Sequence, residues 1–444
     1  MTTLQSADAA QGASTVLHAL ETSGLPWCLV RPPRDDKDDL DVLVTAADLD
    51  RAIDLLTELG LVEEPSYGRG SHRFLVGYDG SGFVEVDLVT RLDFGPLHAW
   101  RSEMAEACLE RTVRVDGTRS MHPVDEFWAT TLHLLVDDGA DPADTHRLAR
   151  LARLAELADQ VDEPLANREW CTLLQPLLPA GLTCRDVVEI QQDHASAADR
   201  GHTMAFIRRT ARRRCVMASL TRRNSLSGLV LAGWLRTTEP VRQWRGRRGL
   251  LVAVLGPDGA GKSTLLERVG QTWRWPHQRI YFGLWPDLRH PGRVAAVLWP
   301  LRRPLRATSR YVFGRVASGR GRLVLFDRYV YDAAVRPRGC HQRLKRLYFQ
   351  VLLRCAPAPD LVVLLDAPGE VLFARKGEMD PTLLDAHRSA VSAHVYGLRG
   401  RSGRPHIVTI DATQTPSQVS SEATRAIWTL AAARLRGAKR RGTA

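Results

Sequence analysis

One short stretch constrains this chain more than any other: an apolar run followed directly by a glycine-rich loop. Leu250–Leu255 has the composition of a buried strand, and residues 256–264 continue it as GPDGAGKST before an apolar helical pattern begins. The order strand, GxxxxGKS, helix is typical of loops whose backbone N–H groups turn inward around phosphate oxygens at a helix N-terminus. The sequence therefore predicts a nucleoside triphosphate site inside an α/β fold.

The residues of this loop have separate predicted roles. Lys262 is expected to reach the β and γ phosphates, and Ser263 is a candidate Mg²⁺ ligand. A tight strand-to-helix turn without a ligand is the alternative. The predicted nucleotide contacts of the loop are Gly256, Pro257, Asp258, Gly259, Ala260, Gly261, Lys262, Ser263 and Thr264.

Two later apolar runs also end in charged residues. Residues 322–329 read RLVLFDRY, and residues 359–371 read PDLVVLLDAPGEV. Charged side chains at the carboxyl end of a parallel strand face the ligand crevice. Asp327 is therefore predicted to support Mg²⁺ or an attacking group, and Arg328 to clamp an acceptor phosphate. The alternation of strands and helices predicts a parallel sheet with helices on both faces.

Together these motifs resemble thymidylate kinases over about residues 250–430. The loop, the DRY-type element at residues 327–329 and the segment ARKGEMD at residues 374–380 occur in the family's order. The resemblance implies ATP and Mg²⁺ as cofactors, and it implies that Asp258 contacts the acceptor. It further implies a lid and a base-contacting loop, whose matching residues here are Arg375 and Lys376, with Arg388 a looser candidate, and Asp411, Ala412 and Thr413.

The chain departs from that family where the acceptor nucleotide is held. The family has an acidic-proline-glycine element after the first helix, whereas residues 281–286 read YFGLWP here. The aromatic residues of this segment, Tyr281, Phe282 and Trp285, either stack on a different acceptor or belong to the core. The loop after the DRY element is either an acceptor contact or a solvated salt-bridged loop, and its charged residues are Asp332, Arg336 and Arg338. The expected acceptor is a small phosphorylated or hydroxyl compound rather than dTMP.

A second carboxylate pattern occurs near the N-terminus. The period of two along a strand puts Asp39 and Asp41 of DDLDVLV on one face, and Asp87 takes the equivalent place in GFVEVDLVT. If the two strands are neighbours, these three aspartates converge as a site for one or two Mg²⁺ ions. Residues 15–95 resemble the nucleotidyltransferase superfamily in this respect, although VRPPRDDK replaces the family's Gly-Ser turn. The alternative is that the acids cap strand ends or form a relict or binding-only site.

Charge and periodicity divide the chain. Residues 1–200 contain 17 Lys and Arg against 36 Asp and Glu, whereas residues 201–444 contain 44 against 14. A basic half suits nucleic acid, anionic lipid, phosphorylated small molecules or the acidic half of the same chain. We expect four parts: a nucleotidyltransferase-like α/β domain at 1–120, a helical segment and linker at 121–245, a thymidylate kinase-like P-loop domain at 246–435, and a basic, unstructured tail at 436–444.

The predicted function is that of a cytoplasmic kinase that binds a nucleoside triphosphate and a small-molecule acceptor. The alternatives are a bifunctional or primarily nucleotidyltransferase enzyme and a non-catalytic ATP-binding regulatory or scaffold protein. Nucleic acid is not an expected partner, because no motif with interleaved aromatic residues accompanies the basic half. No apolar run approaches the roughly 18 to 20 residues of a transmembrane helix, and the seven scattered cysteines include no CxxC pair. The oligomeric state stays open, with a dimer among the alternatives.

Overall fold

The computed structural model describes most of the chain and divides it into two compact units. The described residues are 12–33, 39–64, 71–95, 100–136, 145–158, 164–184, 186–187, 206–217, 230, 233–234, 237–238, 249–283, 293–334, 342–377, 379–398 and 405–442. The first unit contains Ala10–Gly77 and Val84–Glu239, and the second contains Tyr78–Phe83 and Pro240–Ala444. The predicted N-terminal α/β segment and helical segment thus lie in the same unit.

A seven-stranded mixed sheet is the centre of the first unit, in the order β3-β4-β5-β2-β1-β7-β6. Its strands are β1 (Trp27–Leu29), β2 (Leu40–Val44), β3 (Val62–Glu64), β4 (His72–Tyr78), β5 (Phe83–Val89), β6 (Val113–Val115) and β7 (Thr118–Ser120). The neighbours β2 and β5 run parallel, with Asp41 opposite Asp87 in the register. The predicted neighbourhood of the two aspartate-bearing strands is therefore confirmed.

Six helices with defined bounds accompany this sheet. They are α1 (Ala13–Thr22), α2 (Leu49–Glu58), α3 (Met104–Glu110), α4 (Pro123–Val136), α5 (Thr145–Ala158) and α6 (Pro164–Leu174). Between residues 123 and 238 the described residues contain helices and turns but no strand, as the apolar spacing predicts. Phe127 and Leu132 of α4 are fully buried in a core that includes Trp170 of α6.

The second unit is built on a five-stranded parallel sheet in the order β12-β11-β8-β10-β9. Its strands are β8 (Leu250–Leu255), β9 (His277–Tyr281), β10 (Leu323–Asp327), β11 (Leu361–Asp366) and β12 (His406–Asp411). The helices, which cover both faces of the sheet, are α7 (Lys262–Thr272), α8 (Arg293–Gly319), α9 (Gln342–Cys355), α10 (Gly369–Lys376), α11 (Pro381–Gly397) and α12 (Pro416–Gly442). The predicted α/β fold class is confirmed. Every residue of β8 is buried, as expected for the central strand of a covered parallel sheet.

Helix α12 differs from the expectation for the C-terminus. It continues to Gly442, so the prediction of an unstructured tail after Leu435 is wrong. The buried residues Ala431, Ala432 and Leu435 anchor the helix shortly before that point.

Candidate phosphate-binding site

The GPDGAGKST loop joins β8 to α7 at the carboxyl end of the central strand. Gly259 and Gly261 have φ angles of 87° and 85°, in the left-handed region that favours glycine. A Cβ atom at Gly259 would lie 2.8 Å from the carbonyl oxygen of Leu372, whereas a Cβ at Gly261 would meet no atom within 4 Å. The loop is thus fixed by close packing at Gly259 and open at Gly261. Helix α7 begins at the next residue, so its N-terminal N–H groups lie at the open side.

Lys262 is buried and folded back onto its own loop. Its ammonium group donates hydrogen bonds to the carbonyl oxygens of Gly256, at 2.8 Å, and Pro257, at 2.6 Å. Burial lowers the pKa of Lys262, and the charge of Arg328 lowers it further, although Asp258 opposes this shift. The loop therefore holds a desolvated cation on backbone carbonyls that phosphate oxygens could replace as stronger acceptors.

Asp258 and Arg328 form an ion pair between the loop and the end of β10. A guanidinium nitrogen of Arg328 lies 2.5 Å from the carboxylate of Asp258, and another lies 3.4 Å from that of Asp332. Burial disfavours ionisation of Asp258, but Lys262 and Arg328 more than offset it, so that the pKa of Asp258 lies below its usual value. The structure thus brings together Lys262, Asp258 and Arg328, three residues that the sequence assigns to catalysis.

The backbone at Arg328 is in an uncommon conformation. Its φ angle is 70°, in the left-handed region, where a residue with a Cβ atom is strained by about 1 to 3 kcal/mol. Its backbone N–H donates to the carbonyl oxygen of Val254, at 3.2 Å. The conformation therefore turns the chain directly after β10 while the side chain stays on Asp258 and Asp332.

Asp327 and Ser263, the two predicted Mg²⁺ ligands of this unit, share one arginine. The guanidinium group of Arg279, from β9, forms an ion pair with Asp327 and lies 3.3 Å from the hydroxyl oxygen of Ser263. A carboxylate and a hydroxyl oxygen gathered around a single positive charge are ligand types that suit Mg²⁺. The donor set therefore fits a magnesium ion.

Arg279 does not appear among the predicted site residues, because β9 was not predicted as a strand. The signal that could reveal it is the alternation within HQRIY, in which His277, Arg279 and Tyr281 are the exposed residues of an edge strand. Since β9 pairs in parallel with β10, its carboxyl end reaches the same edge of the sheet as Asp327. An alternating pattern was available, but one edge strand of five residues is a weak signal.

A second group that the sequence motifs miss is His387 on α11. Burial lowers the pKa of His387, and the nearby carboxylates of Asp332 and Asp258 oppose this shift. Its Nε2 atom is buried and has no hydrogen-bond partner among the described residues.

Burial also raises the pKa of Asp332, while Arg328 and His387 act in the opposite direction. Of the two interpretations of Asp332, the solvated loop is wrong, whereas Arg336 and Arg338 lie outside the described residues.

The predicted lid residue Arg375 lies beside the loop predicted to contact the base. Its guanidinium group donates to the carbonyl oxygen of Ala412, at 2.8 Å. The carboxylate of Asp411 accepts hydrogen bonds from the backbone N–H of Thr413, at 2.8 Å, and from its hydroxyl, at 2.6 Å. These contacts join the end of α10 to the turn after β12.

Lys376 and Arg388 lie in different charge environments. The positive charge of Lys376 contributes to the lowered pKa of Asp258, which places this lysine near the loop. Arg388 instead pairs with Asp366 at the end of β11, at 3.3 Å, and with Asp385, at 3.4 Å. Of these two predicted lid cations, Lys376 is thus the one that lies nearer the phosphate loop.

The aromatic segment that begins at the last residue of β9 divides between core and surface. Phe282 is 2% exposed, and its ring lies 5.0 Å from that of Phe326 and 4.7 Å from that of Tyr329. Phe282 is therefore a core residue. Tyr281 is 44% exposed and lies under the guanidinium group of Arg310, at 5.8 Å. Residues 284–286, which include Trp285, lie outside the described residues.

The N-terminal aspartates have a different setting. Asp41 pairs with Arg31, whose Nε lies 2.8 Å from its carboxylate, and Asp87 contacts Nδ1 of His72, at 2.8 Å. Asp39 is exposed. Within the described ranges, no group of three or more His, Cys, Asp or Glu side chains is arranged to hold a metal ion. The structure thus brings Asp41 and Asp87 together without gathering all three, and the N-terminal magnesium site stays a prediction.

Comparisons with known proteins relate part of the chain to nucleotide kinases. No protein-family model matches it. It is 26% identical over 212 residues to a thymidylate kinase of Oenococcus oeni (strain ATCC BAA-331 / PSU-1), covering 41% of this chain and 96% of that enzyme. A domain-sized part of the chain is thus homologous to thymidylate kinase.

Two solved structures are also similar to part of the chain. Thymidylate kinase from Candida albicans has 21% sequence identity and a TM-score of 0.31, covering 41% of this chain and 92% of that one. Deoxyadenosine kinase from M. mycoides with bound dATP has 13% identity and a TM-score of 0.29, covering 40% and 98%.

Proposed function

We propose that this chain is an ATP-dependent phosphotransferase that moves the γ-phosphoryl group of ATP to a nucleoside, a nucleotide or another small phosphorylated or hydroxyl acceptor. The observation that carries the proposal is the ion pair between Asp258 and Arg328, which joins the phosphate loop to the end of β10 beside the buried Lys262. The homology to thymidylate kinase supports the same class of reaction.

ATP would bind along the loop between β8 and α7. The backbone N–H groups of residues 256–264 would donate to phosphate oxygens, and Lys262 would exchange its two carbonyl acceptors for the β and γ phosphates. The base would lie beside Asp411, Ala412 and Thr413, next to Arg375.

Ser263 and Asp327 would hold Mg²⁺, since their oxygens already converge on one cation. When bound, the ion neutralises charge on the transferring phosphoryl group. The chain's own contribution is to keep the two ligands close, and Arg279 does this in the present structure. Loss of Arg279 from this position would leave both oxygens available to another cation.

The acceptor would lie near Asp258 and Arg328, with Lys376 covering the site. Arg328 would hold an acceptor phosphate or orient a hydroxyl group, while Asp258 fixes the guanidinium group. Because phosphoryl transfer involves little covalent chemistry with the protein, positioning and charge stabilisation by Lys262, Arg328 and Lys376 would account for most of the rate enhancement.

A second candidate function is nucleotidyl transfer by the N-terminal sheet. The observation that favours it is the register of β2 and β5, which places Asp41 directly opposite Asp87. These carboxylates would have to exchange Arg31 and His72 for a metal ion before they could act on an α-phosphate. The two functions use different phosphates of ATP, so they can be separated in one assay.

The test is a screen of nucleosides, nucleoside monophosphates and sugars with γ-labelled and, separately, α-labelled ATP. We expect transfer of the γ label to at least one acceptor and no transfer of the α label. We also expect dTMP to be a poor acceptor, because Phe282 is part of the core where the family holds its acceptor nucleotide. Stoichiometric ATP binding with no transfer to any acceptor would contradict the proposal and favour a regulatory role.

A further inference from the structure

His387 lies on the inward-facing side of α11. Val391, four residues on, is buried in the core of the unit, and the ring of His394, seven residues on, lies 5.3 Å from that of Tyr331. Residues four and seven apart in a helix share one face. This face of α11 therefore packs against Val330–Ala334, the short turn that directly follows the DRY element.

His387 and His394 have different surroundings although they share a face. Each has a buried Nε2 atom without a hydrogen-bond partner among the described residues. Burial lowers the pKa of both imidazoles, and for His394 burial is the whole cause. The pKa of His387 also responds to the charged groups of the phosphate site, which are Asp332, Lys262, Asp258 and Arg328. His394 is thus a core histidine, whereas His387 adjoins the phosphate site and has a ring nitrogen that a ligand could satisfy.

Arg328, the predicted clamp for an acceptor phosphate, already lies between two carboxylates. Separate guanidinium nitrogens lie 2.5 Å from the carboxylate of Asp258 and 3.4 Å from that of Asp332. A phosphorylated acceptor at Arg328 would place further negative charge beside both carboxylates, which is unfavourable at short range. A hydroxyl group carries no charge and can hydrogen-bond to a carboxylate or to an imidazole nitrogen. These surroundings therefore favour an acceptor that reacts through a hydroxyl group.

The two classes of acceptor differ in their need for a base. A phosphate monoester is mostly ionised at pH 7, so its attacking oxygen has no proton to lose. A hydroxyl group must lose its proton as the new oxygen–phosphorus bond forms. A neutral imidazole can take that proton, and the lowered pKa of His387 keeps its imidazole neutral at pH 7. The charge of Asp332 acts to raise the pKa of His387, so it favours the imidazolium that would form.

We propose that the acceptor reacts through a hydroxyl group and that Nε2 of His387 is the general base that removes its proton. This inference rests on the proposed kinase function and decides between its two classes of acceptor. In the step, a bond forms between the acceptor oxygen and the γ phosphorus. The bond from that phosphorus to the β–γ bridging oxygen breaks, and ADP leaves with its electron pair. The hydroxyl proton goes to Nε2 of His387, and Asp332 stabilises the imidazolium.

The pH dependence of this step follows from the charges that surround His387. Lys262 and Arg328 act to lower its pKa, whereas Asp332 and Asp258 act to raise it. The charged groups on α11 and on α10, which packs against α11, have other partners or are exposed: Arg388 pairs with Asp385 and Asp366, Arg375 donates to the carbonyl of Ala412, and Glu370 and Lys376 are exposed. Since the neutral imidazole acts as the base, kcat should fall by about tenfold per pH unit below the pKa of His387.

The experiment uses the full chain with γ-labelled ATP and a panel of nucleosides, sugars and their monophosphates. Each labelled product is identified by chromatography as a phosphate monoester, made from a hydroxyl group, or as a diphosphate, made from a phosphate group. We expect the label in a monoester. Label that appears only in diphosphates would overturn the inference and leave the proposed kinase function standing. Label in no product would contradict the proposed function itself, and the inference with it.

His387→Asn should lower kcat for the hydroxyl acceptor by about a hundredfold or more at neutral pH, because the base is lost. Binding of a fluorescent ATP analogue should stay within about twofold, which checks that the variant is folded. The matched control is His394→Asn, on the same face of the same helix, which should keep both kcat and its pH profile. A His387→Asn variant with unchanged kcat would overturn the inference.

Asp332→Asn gives a second readout, which a purely structural role would not produce. Removal of the negative charge should lower the pKa of His387, so the acid limb of the kcat profile should move to lower pH. The assignment of His387 as the base is overturned if this limb stays in place, or if it persists unchanged in His387→Asn.

Discussion

Two sheets in this molecule each bring carboxylates next to cationic side chains, and the two arrangements differ in what surrounds them. In the N-terminal sheet, Asp41 and Asp87 face each other across β2 and β5, and each carboxylate contacts one basic side chain. In the C-terminal sheet, Asp258 and Asp327 also pair with arginines, but they adjoin a glycine-rich loop and a buried lysine. Among the residues that the structure describes, it is the second arrangement that includes backbone donors at a helix N-terminus.

The comparison shows that carboxylate spacing alone does not define a nucleotide site. In the N-terminal sheet, the carboxylate of Asp41 pairs with Arg31 and that of Asp87 contacts His72, so both carboxylates already have side-chain partners. A site that handles phosphates also needs positive charge and N–H donors directed at the ligand. The following predictions test whether this difference separates a working phosphate site from a pair of carboxylates that only contact neighbouring side chains.

The largest expected effect is that of Lys262→Ala. The side chain is the cation that the phosphate loop itself contributes, so its removal should lower γ-phosphoryl transfer by about a thousandfold or more. The measurement is label transfer from γ-labelled ATP at saturating acceptor. A rate of γ-phosphoryl transfer within tenfold of that of the unchanged protein would mean that the loop is not the ATP site. The C-terminal sheet would then not differ from the N-terminal sheet in the way described.

Arg328→Lys should have the next largest effect, a fall in kcat/KM of about a hundredfold. Lysine keeps the charge but lacks the planar guanidinium group, whose two separate terminal nitrogens contact Asp258 and Asp332 in Arg328. Steady-state kinetics with the identified acceptor would show this loss, with circular dichroism as the check on folding. A variant that keeps kcat/KM would show that the bridging geometry is unimportant.

Arg279→Gln tests whether Ser263 and Asp327 of the C-terminal site bind Mg²⁺. The guanidinium group competes with a cation for the oxygens of Ser263 and Asp327, so its removal should lower the half-saturating Mg²⁺ concentration severalfold. The readout is Mg²⁺-dependent binding of a fluorescent ATP analogue, which requires no turnover. Arg268→Gln, an exposed arginine on α7, is the matched control, and equal Mg²⁺ requirements in both variants would contradict the assignment.

His387→Asn tests the buried groups of the C-terminal site through pH. Because burial places the folded-state pKa of His387 below its ordinary value of 6.5, the unfolded chain takes up the proton first as the pH falls. The contribution of His387 to stability is therefore present above pH 6.5 and is lost below it. The variant should show a shallower fall in the free energy of unfolding between pH 7 and pH 5, measured by urea denaturation. Parallel curves would mean that His387 is not buried in solution.

The smallest expected effect on kinase chemistry belongs to the N-terminal pair. Asp39→Asn combined with Asp41→Asn should leave γ-phosphoryl transfer within about twofold, because the phosphate loop follows a strand of the other sheet. Any transfer of the α label should disappear, since two negative charges at the proposed metal site are removed. A folded double variant that loses γ-phosphoryl transfer would show that the two carboxylate sites do not function independently.

The sequence was most informative where a motif and a strand coincide. The bounds of β8 were predicted to the residue, and the segments DDLDVLV and GFVEVDLVT contain β2 and β5, since each combines an apolar pattern with adjacent polar residues. The closeness of Asp258 and Arg328 agrees with the rule that parallel strands end at one edge of the sheet, although their ion pair was not predicted.

The positions of Arg279 and His387 in the site depend on tertiary contacts that the local sequence patterns do not specify. Arg279 reaches Asp327 only because the short edge strand β9 pairs with β10. His387 comes close to Asp332 only because α11 packs beside the turn after β10. The third carboxylate of the N-terminal trio, Asp39, has the right period but precedes the strand and is exposed.

The left-handed backbone at Arg328 has a consequence for how far this position can vary. Glycine and asparagine accept the φ angle readily, but neither supplies a positive charge to Asp258 and the buried Asp332. Lysine supplies the charge but neither relieves the backbone strain nor provides the two separate guanidinium nitrogens that contact Asp258 and Asp332. The amino acids that accept the φ angle are therefore not the ones that supply the positive charge. Saturation mutagenesis at this codon should return arginine alone, at a position where a φ angle by itself would favour glycine.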